Sequence, residues 1–414
     1  MNPHLCAVRD FFVSLRLTIA LLVFSFVLVF AATLDQVNLG IWAVQAKYFR
    51  SFVIYAGFGG LAVPVFPGGY TIGGLLLANL TAAFVFRFKF TWRRSGMALS
   101  HAGLIVLLFG ELFTGLWQRD YRMRLDQGET RNYSESFRSY ELAVTDITDP
   151  DFDDVVAVPA SRLAGRREVQ HQKLPFRIQT LAYYPNSLLQ MRPAGAPPPT
   201  GPGPVANRDI GQHIVAAPQP LVASPDELDL PAAFVELAGP AGALGTWLVS
   251  PQLAAPQEFT AAGRTWRIAL RPERLYQPFR LTLLQFSHDR YPGTQIPKNF
   301  SSRVRLRSDD GHEDREVLIA MNEPLRHGGL AFYQSGFENN DRTTILQVVR
   351  NPSWLFPYIA SGLMTLGLTL QFGIHLVGFV GSRAARTAAR PGPAAPGAPA
   401  AQTAATRPTV PTCA

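Results

Sequence analysis

Residues 97–117 read MALSHAGLIVLLFGELFTGLW, and a little further on residues 140–147 read YELAVTDI. The first stretch is long and apolar enough to cross a bilayer, because a hydrocarbon core of about 30 Å needs about 20 residues of helix. The second alternates apolar and polar side chains with a period of two, the pattern of a half-buried strand. A membrane helix that leads into strands sets the fold class. The chain is expected to be a membrane protein with transmembrane α-helices and a large, mostly-β domain.

Three more apolar runs complete the membrane part. Phe12–Ala32 is broken only by Arg16; Tyr70–Phe86 follows Pro67, a position helices tolerate at their start. Trp354–Val380 is longer than a span requires and is expected to tilt or to extend past one interface. The predicted organisation is a three-helix region over 1–117 (spans 12–32, 70–86 and 97–117), a β-rich domain over 118–353, a fourth span over 354–380 and a tail over 381–414. The first run is too long for a signal peptide, and no small-residue cleavage site set off by polar sequence follows it. It is expected to be a retained anchor.

Within 118–353, short β-rich runs recur at 176–181, 233–237, 246–250, 265–270, 330–335 and 344–349, punctuated by Gly and Pro. Asp309-Asp310-Gly311 lies between the runs 304–307 and 317–320 as a hairpin signal. The expected architecture is a β-sandwich or an open barrel. Pro193–Asn207, crowded with proline and glycine, is expected to be a flexible loop. The Ala-, Pro- and Thr-rich tail is expected to be disordered.

Only 16% of the 414 residues are charged, against roughly 25% in soluble domains, and 47% are apolar. That composition excludes a disordered chain, a collagen or a disulfide-stapled mini-protein, and argues against an ordinary soluble enzyme. The net charge is +8, but the basic residues stand beside the apolar runs: Arg87, Lys89, Arg93 and Arg94, then Arg383, Arg386 and Arg390. This is the signature of membrane topology, and no nucleic-acid-binding motif accompanies it. The connector 87–96 carries four positive charges and no acid. It therefore marks its side as cytoplasmic, which places both termini in the cytoplasm and 118–353 outside a cell (inner) membrane. Cys6 and Cys413 are the only cysteines. Without a Cys-x-x-Cys pair the chain is neither a thioredoxin-type oxidoreductase nor a c-type cytochrome.

No nucleophile elbow, zinc-protease motif, Walker loop or dinucleotide fingerprint occurs. His171, His213, His288 and His312 lack metal-ligand spacing and are assigned surface or hydrogen-bonding roles. His101 differs because it lies inside the third span, where an ionisable residue points to function. Its neutral imidazole offers a lone pair suited to iron, and Ala102 and Gly103 are expected to leave room for a flat macrocycle. The alternative is a histidine hydrogen-bonded within the helices. His375 lies at a similar depth in the fourth span and is either a second iron ligand or an interfacial, hydrated side chain. Glu111 is expected to cap or to pair with Arg119. Asn79 is expected to hydrogen-bond across a helix pair. Gly69, Gly73, Gly74, Ala78 and Ala82 either form a close helix contact or merely assist folding.

Several segments carry a resemblance. They are the anchor 12–32; Pro67-Gly68-Gly69-Tyr70-Thr71-Ile72-Gly73-Gly74; Ser100-His101-Ala102-Gly103-Leu104; and Tyr291-Pro292-Gly293-Thr294. Met321-Asn322-Glu323-Pro324-Leu325-Arg326-His327-Gly328-Gly329, Phe332-Tyr333-Gln334-Ser335 and Leu346-Gln347-Val348-Val349-Arg350-Asn351-Pro352 follow in order. Together they resemble the ResB-type cytochrome c biogenesis proteins of system II. The resemblance implies a non-catalytic or co-catalytic subunit of a cytochrome c synthetase (haem lyase) complex, which exports haem b in transit and presents it to apocytochrome c. It implies a ResC/CcsA-type membrane partner and an extracytoplasmic thiol reductase nearby. It carries the family's intramembrane haem ligand over to His101; by their place near the cytoplasmic surface, Arg93 and Arg94 are candidates for the propionates. His327 departs from the aromatic residue expected in its motif, and is not carried over as a ligand. The competing reading is a haem-free assembly scaffold or envelope sensor.

Overall fold

The computed structural model describes residues 3–58, 61–193, 203–222, 227–240, 242–293, 297–339 and 341–388. Residues 194–202 of the proline-rich stretch, Thr294, and the tail beyond 388 with Arg390 and Cys413 lie outside the described residues.

The helices are α1 (Pro3–Phe12), α2 (Leu15–Val44), α3 (Gly69–Ala82), α4 (Ser95–Trp117), the short α5 (Ala160–Ala164) and α6 (Phe356–Ala388). Counting their terminal turns, four segments among the described residues are long and apolar enough to cross a membrane: Leu15–Phe49, Gly69–Arg87, Trp92–Trp117 and Phe356–Arg383. The protein is a membrane protein. Helix α2 runs past Ala32 to a break at Gly40, whose φ is +74°, and the segment beyond the break partners Asp35. Asp35 Oδ2 accepts from Lys47 Nζ at 2.6 Å and from the Tyr48 hydroxyl at 2.8 Å.

Asn79 is buried at 2% exposure. Its Nδ2 donates to the Phe12 and Ser14 carbonyls at 2.6 and 3.2 Å, and its Oδ1 accepts from Thr18 Oγ1 at 2.6 Å. The break between α1 and α2 exposes backbone carbonyls to a medium without water, and α3 satisfies them. The cross-helix bond expected of Asn79 is there.

The close helix contact falls elsewhere than the glycines of α3. A Cβ on Gly73 or Gly74 would meet nothing within 4 Å, and only Gly69 is tight, against the Phe49 carbonyl at 2.5 Å. Helix α3 buries Ile72 and Asn79, which leaves the glycine side of its surface open. The tight pair is α4 with α6. A Cβ on Gly103 would lie 2.8 Å from Met364 Cγ, one on Gly110 would lie 2.5 Å from Phe356 Cβ, and one on Gly96 would strike the Gly367 carbonyl. Glycines seven residues apart lie on one face of α4 and let the two backbones approach.

Between α2 and α3, β1 (Val53–Phe58) and β2 (Leu61–Pro67) form a hairpin. The β domain holds β3 (Arg119–Asp126), β4 (Thr130–Asp146), β5 (Asp154–Pro159), β6 (Arg177–Tyr184), β7 (Ser187–Met191), β8 (Ile214–Pro218), β9 (Ala232–Gly239) and β10 (Gly242–Val249). It continues through β11 (Gln257–Ala261), β12 (Arg264–Arg290), β13 (Pro297–Ser308), β14 (Asp314–Ala320), β15 (Leu325–His327), β16 (Leu330–Glu338) and β17 (Thr343–Arg350). Ten of these strands make one sheet, ordered β14-β13-β12-β4-β3-β17-β16-β15, with β11 on β12 and β5 on β4. This sheet curls into a nearly closed barrel. All strand runs expected from sequence are present, and β13 pairs with β14 around the expected Asp-Asp-Gly turn, where Gly311 has φ +75°.

Strand β12 belongs to two cores. Its first half sends Trp266, Ile268 and Leu270 into a core shared with β4, β5, β6, β9 and β10. Its second half sends Phe279, Leu281 and Leu283 into the barrel core with Tyr121, Met123 and Leu125 of β3. The register shifts between Tyr276 and Leu281, where the strand passes from one core to the other.

Candidate functional site

His101 lies in the second turn of α4, at the end of the helices away from the β domain. Its Nδ1 is 2.8 Å from the Met97 carbonyl oxygen. A carbonyl only accepts, so Nδ1 carries a proton, and in the neutral ring the lone pair is then on Nε2. The residue is half-buried. It is five positions beyond Gly96, about 140° around the helix at 3.6 residues per turn. The ring therefore points away from α6, toward the side where the Phe88 ring lies 6.4 Å off.

Room beside this imidazole does not come from Gly103, as expected from sequence, because α6 fills that space. It comes from the face of α4 that α6 leaves uncovered. Among the described residues no three of His, Cys, Asp or Glu gather as a metal site. A metal at Nε2 would therefore bring most of its ligands with it, as an iron porphyrin does. The tautomer and the open side both suit that group.

Arg93 and Arg94 stand in the 3-10 turn Trp92–Arg94 that precedes α4, both exposed. They form no ion pair among the described residues. Counted from Arg94, His101 is about 10 Å along the axis.

The structure does not bring His375 to the same place. His375 is exposed, and its Nε2 lies 2.8 Å from Gln371 Nε2, an amide that donates. The lone pair required for iron is thus engaged. Gln371 also donates to the Arg93 carbonyl at 3.2 Å and accepts from the Met97 N–H at 3.1 Å. Met97 is in the first turn of α4, whose N–H groups lack intrahelical acceptors, so Gln371 caps α4 from a different helix. Sequence reasoning missed Gln371; a lone glutamine four residues before a histidine in a span was the available signal. Glu111 is exposed and forms no ion pair among the described residues, with Arg119 or otherwise.

At the other end of the helices, where the barrel meets them, parts of three quoted motifs come together: residues 326–329, Tyr333, and Gln347 with Val349 and Asn351. Asn351 Nδ2 reaches Thr114 Oγ1 at 3.3 Å, and its Oδ1 accepts the Ser353 N–H at 2.8 Å, clamping the start of α6 to the end of α4. The Arg138 guanidinium stacks on the Trp42 ring at 3.8 Å, and burial there pushes its pKa below the ordinary value. Gln334 joins three strands of the barrel: Oε1 accepts from Ser302 Oγ at 2.6 Å, and Nε2 donates to Thr344 Oγ1 at 2.9 Å. Phe332 is wholly buried in the barrel core. Among the scattered histidines, His288 is buried with Nδ1 2.9 Å from Asp341 Oδ1, beside the Phe337 ring at 4.4 Å. His327 faces Glu313 at 3.3 Å and stands edge-on to Phe279.

Residues 256–349 match the model of the ResB-like family. A stretch of 101 residues is 33% identical to Protein NrfI of Wolinella succinogenes, over 24% of this chain and 11% of that protein. The chain thus matches about a tenth of the length of that curated relative. The resemblance to ResB-type cytochrome c biogenesis proteins is met over the barrel strands. The ResB-like segment contains Gln334, His288, His327 and Phe332, whose roles in the barrel are hydrogen bonding and packing. His101 lies outside it.

Proposed function

We propose that this ResB-like membrane protein is a haem-handling subunit in cytochrome c biogenesis. The observation that carries the reading is the His101–Met97 bond, which holds the ring by Nδ1 and leaves Nε2, the lone-pair nitrogen of the neutral ring, facing the uncovered side of α4. His101 would hold haem iron through Nε2, and Arg93 and Arg94 would meet the propionates at the nearby membrane boundary. Bound haem supplies the group that is finally attached to apocytochrome c. This chain's own residues hold it, orient it and keep water from it among apolar helix faces.

The charge pattern supports an orientation with the connector 87–96 in the cytoplasm. His101 then lies near the cytoplasmic boundary, and the β domain faces the extracytoplasmic side of the inner membrane, where apocytochrome c and a thiol reductase would meet it. The uncovered face of α4 is where a ResC/CcsA-type partner would complete the haem site.

Co-expression of the chain with such a partner tests the reading. Haem is expected to co-purify with the native pair, and c-type cytochrome yield is expected to fall at least tenfold with His101→Ala. A haem-free pair with unchanged cytochrome yield would leave the scaffold or sensor reading in its place.

A further inference from the structure

A cavity of about 660 Å³ opens where the barrel meets α4 and α6. Its walls include Arg326, Gly328, Gly329, Tyr333, Trp354 and Tyr358. The two glycines form the turn between β15 and β16, with φ +57° and +74°, in a hairpin closed by the His327–Leu330 pair. A two-residue turn with both residues at positive φ demands Gly or Asn-like residues, and two glycines place no side chain in the opening.

Arg326 gives the cavity its charge. It is exposed, its guanidinium lies over the Trp354 ring at 4.7 Å, and its one hydrogen bond to a side chain is a long 3.5 Å contact with the Tyr333 hydroxyl. No carboxylate pairs with it among the described residues. Three other polar walls are engaged: Gln118 with Asp120 at 3.1 Å, His327 with Glu313 at 3.3 Å, and Asn351 with Thr114 at 3.3 Å. One cation is therefore left to meet an anion. Trp354 and Tyr358, 43% and 64% exposed, stand beside it at the start of α6, the level at which aromatic residues meet a bilayer surface.

We infer that this cavity binds an anionic amphiphile at the membrane boundary, its acidic head on Arg326 and its apolar body along Trp354 and Tyr358. Two sources share that chemistry: an anionic phospholipid, and a porphyrin carrying carboxylates. The porphyrin source rests on the haem reading; the anionic site itself does not.

The full chain in phosphatidylcholine nanodiscs separates them. The probes are protoporphyrin IX, its dimethyl ester and phosphatidylglycerol, followed by porphyrin fluorescence anisotropy and by native mass spectrometry for the lipid. Losing a charge-assisted hydrogen bond is expected to weaken binding about tenfold or more. R326Q should therefore weaken protoporphyrin IX, phosphatidylglycerol or both by that factor, R326K should retain most of the binding, and the ester should not respond to either. Whichever acid responds names the source. Acids bound by R326Q within about twofold of native protein, or an ester that depends on Arg326 as the acid does, would overturn the inference. If R326Q does not fold, Y358A on the exposed side of α6 serves as the second variant, with a loss of about threefold expected and unchanged binding overturning the site. Iron-free porphyrin needs no axial ligand, so His101→Ala should leave this binding intact while abolishing haem co-purification.

Discussion

His101 donates from Nδ1 to the carbonyl oxygen of Met97 one turn earlier, at 2.8 Å. That bond selects the tautomer of the imidazole and its direction together. Met97 also gives its N–H to Gln371 of α6, so the residue that orients His101 is itself held by the helix that carries His375. Gln371→Leu is expected to loosen this end of the α4–α6 pair. Partial loss of bound haem, with the protein still inserted, is the expected readout by absorbance of the purified complex.

The glycines of α4 give a paired prediction. Gly103→Leu must displace Met364 and the Ala360 carbonyl, and overpacking of this kind costs about 1–3 kcal/mol. Gly73→Ala and Gly74→Ala meet nothing within 4 Å and should leave stability unchanged. Thermal aggregation midpoints of the three variants in one detergent compare them directly.

Asn79→Leu takes from the Phe12 carbonyl its side-chain donor and from the Thr18 hydroxyl its short 2.6 Å acceptor, while the Ser14 carbonyl keeps the Thr18 N–H at 3.3 Å. In a membrane such interhelical bonds are worth about 0.6–2 kcal/mol. Faster proteolysis between α1 and α2 is the expected result.

In the barrel, Gln334→Leu would take the amide away from the fully buried Ser302 and Thr344 hydroxyls, leaving them only each other, at 2.8 Å, and one O–H without an acceptor. Orphaned buried polar groups cost about 1–3 kcal/mol, and a domain of this size loses about 2–4 °C in Tm per kcal/mol. Differential scanning calorimetry of the full chain should show the drop in the β-domain transition.

Acid should destabilise the β domain. The Thr343 hydroxyl and the Arg124 guanidinium hold the Asp126 carboxyl below its ordinary 3.8, and the Arg305 guanidinium does the same for Asp314. A carboxyl whose pKa is lowered by folding contributes stability that is complete above the unfolded value and is lost as pH falls through the folded one. Melting temperature is expected to be flat from about pH 5 to 8 and to fall below about pH 4. Arg305→Gln should make that fall shallower and cost a little stability at neutral pH.

The architecture could be read from the chain because its two signals are strong. Runs such as 97–117 have no soluble alternative, and alternation such as that of 140–147 has one buried face. The extra turns of α2 carry a carboxylate, Asp35, whose partners Lys47 and Tyr48 lie beyond the break at Gly40. The hairpin Val53–Pro67 and the two-residue turn at Gly328-Gly329 are local patterns visible in principle. The face shared by Gly96, Gly103 and Gly110 is different: glycines are common in spans, and only the partner helix distinguishes these from Gly73 and Gly74. For the site, the imidazole of His101 stood out by its cost in a bilayer. Its tautomer, the cap from Gln371 and the unpaired state of Arg326 depend on residues far away in sequence.

The most direct measurement is the absorbance spectrum of the complex purified with its membrane partner, native against His101→Ala, with and without added imidazole. A Soret band present in native protein, lost in the variant and restored by imidazole is expected, since free imidazole can occupy the vacated ligand position. A band of equal height and wavelength in both proteins would contradict iron ligation by His101.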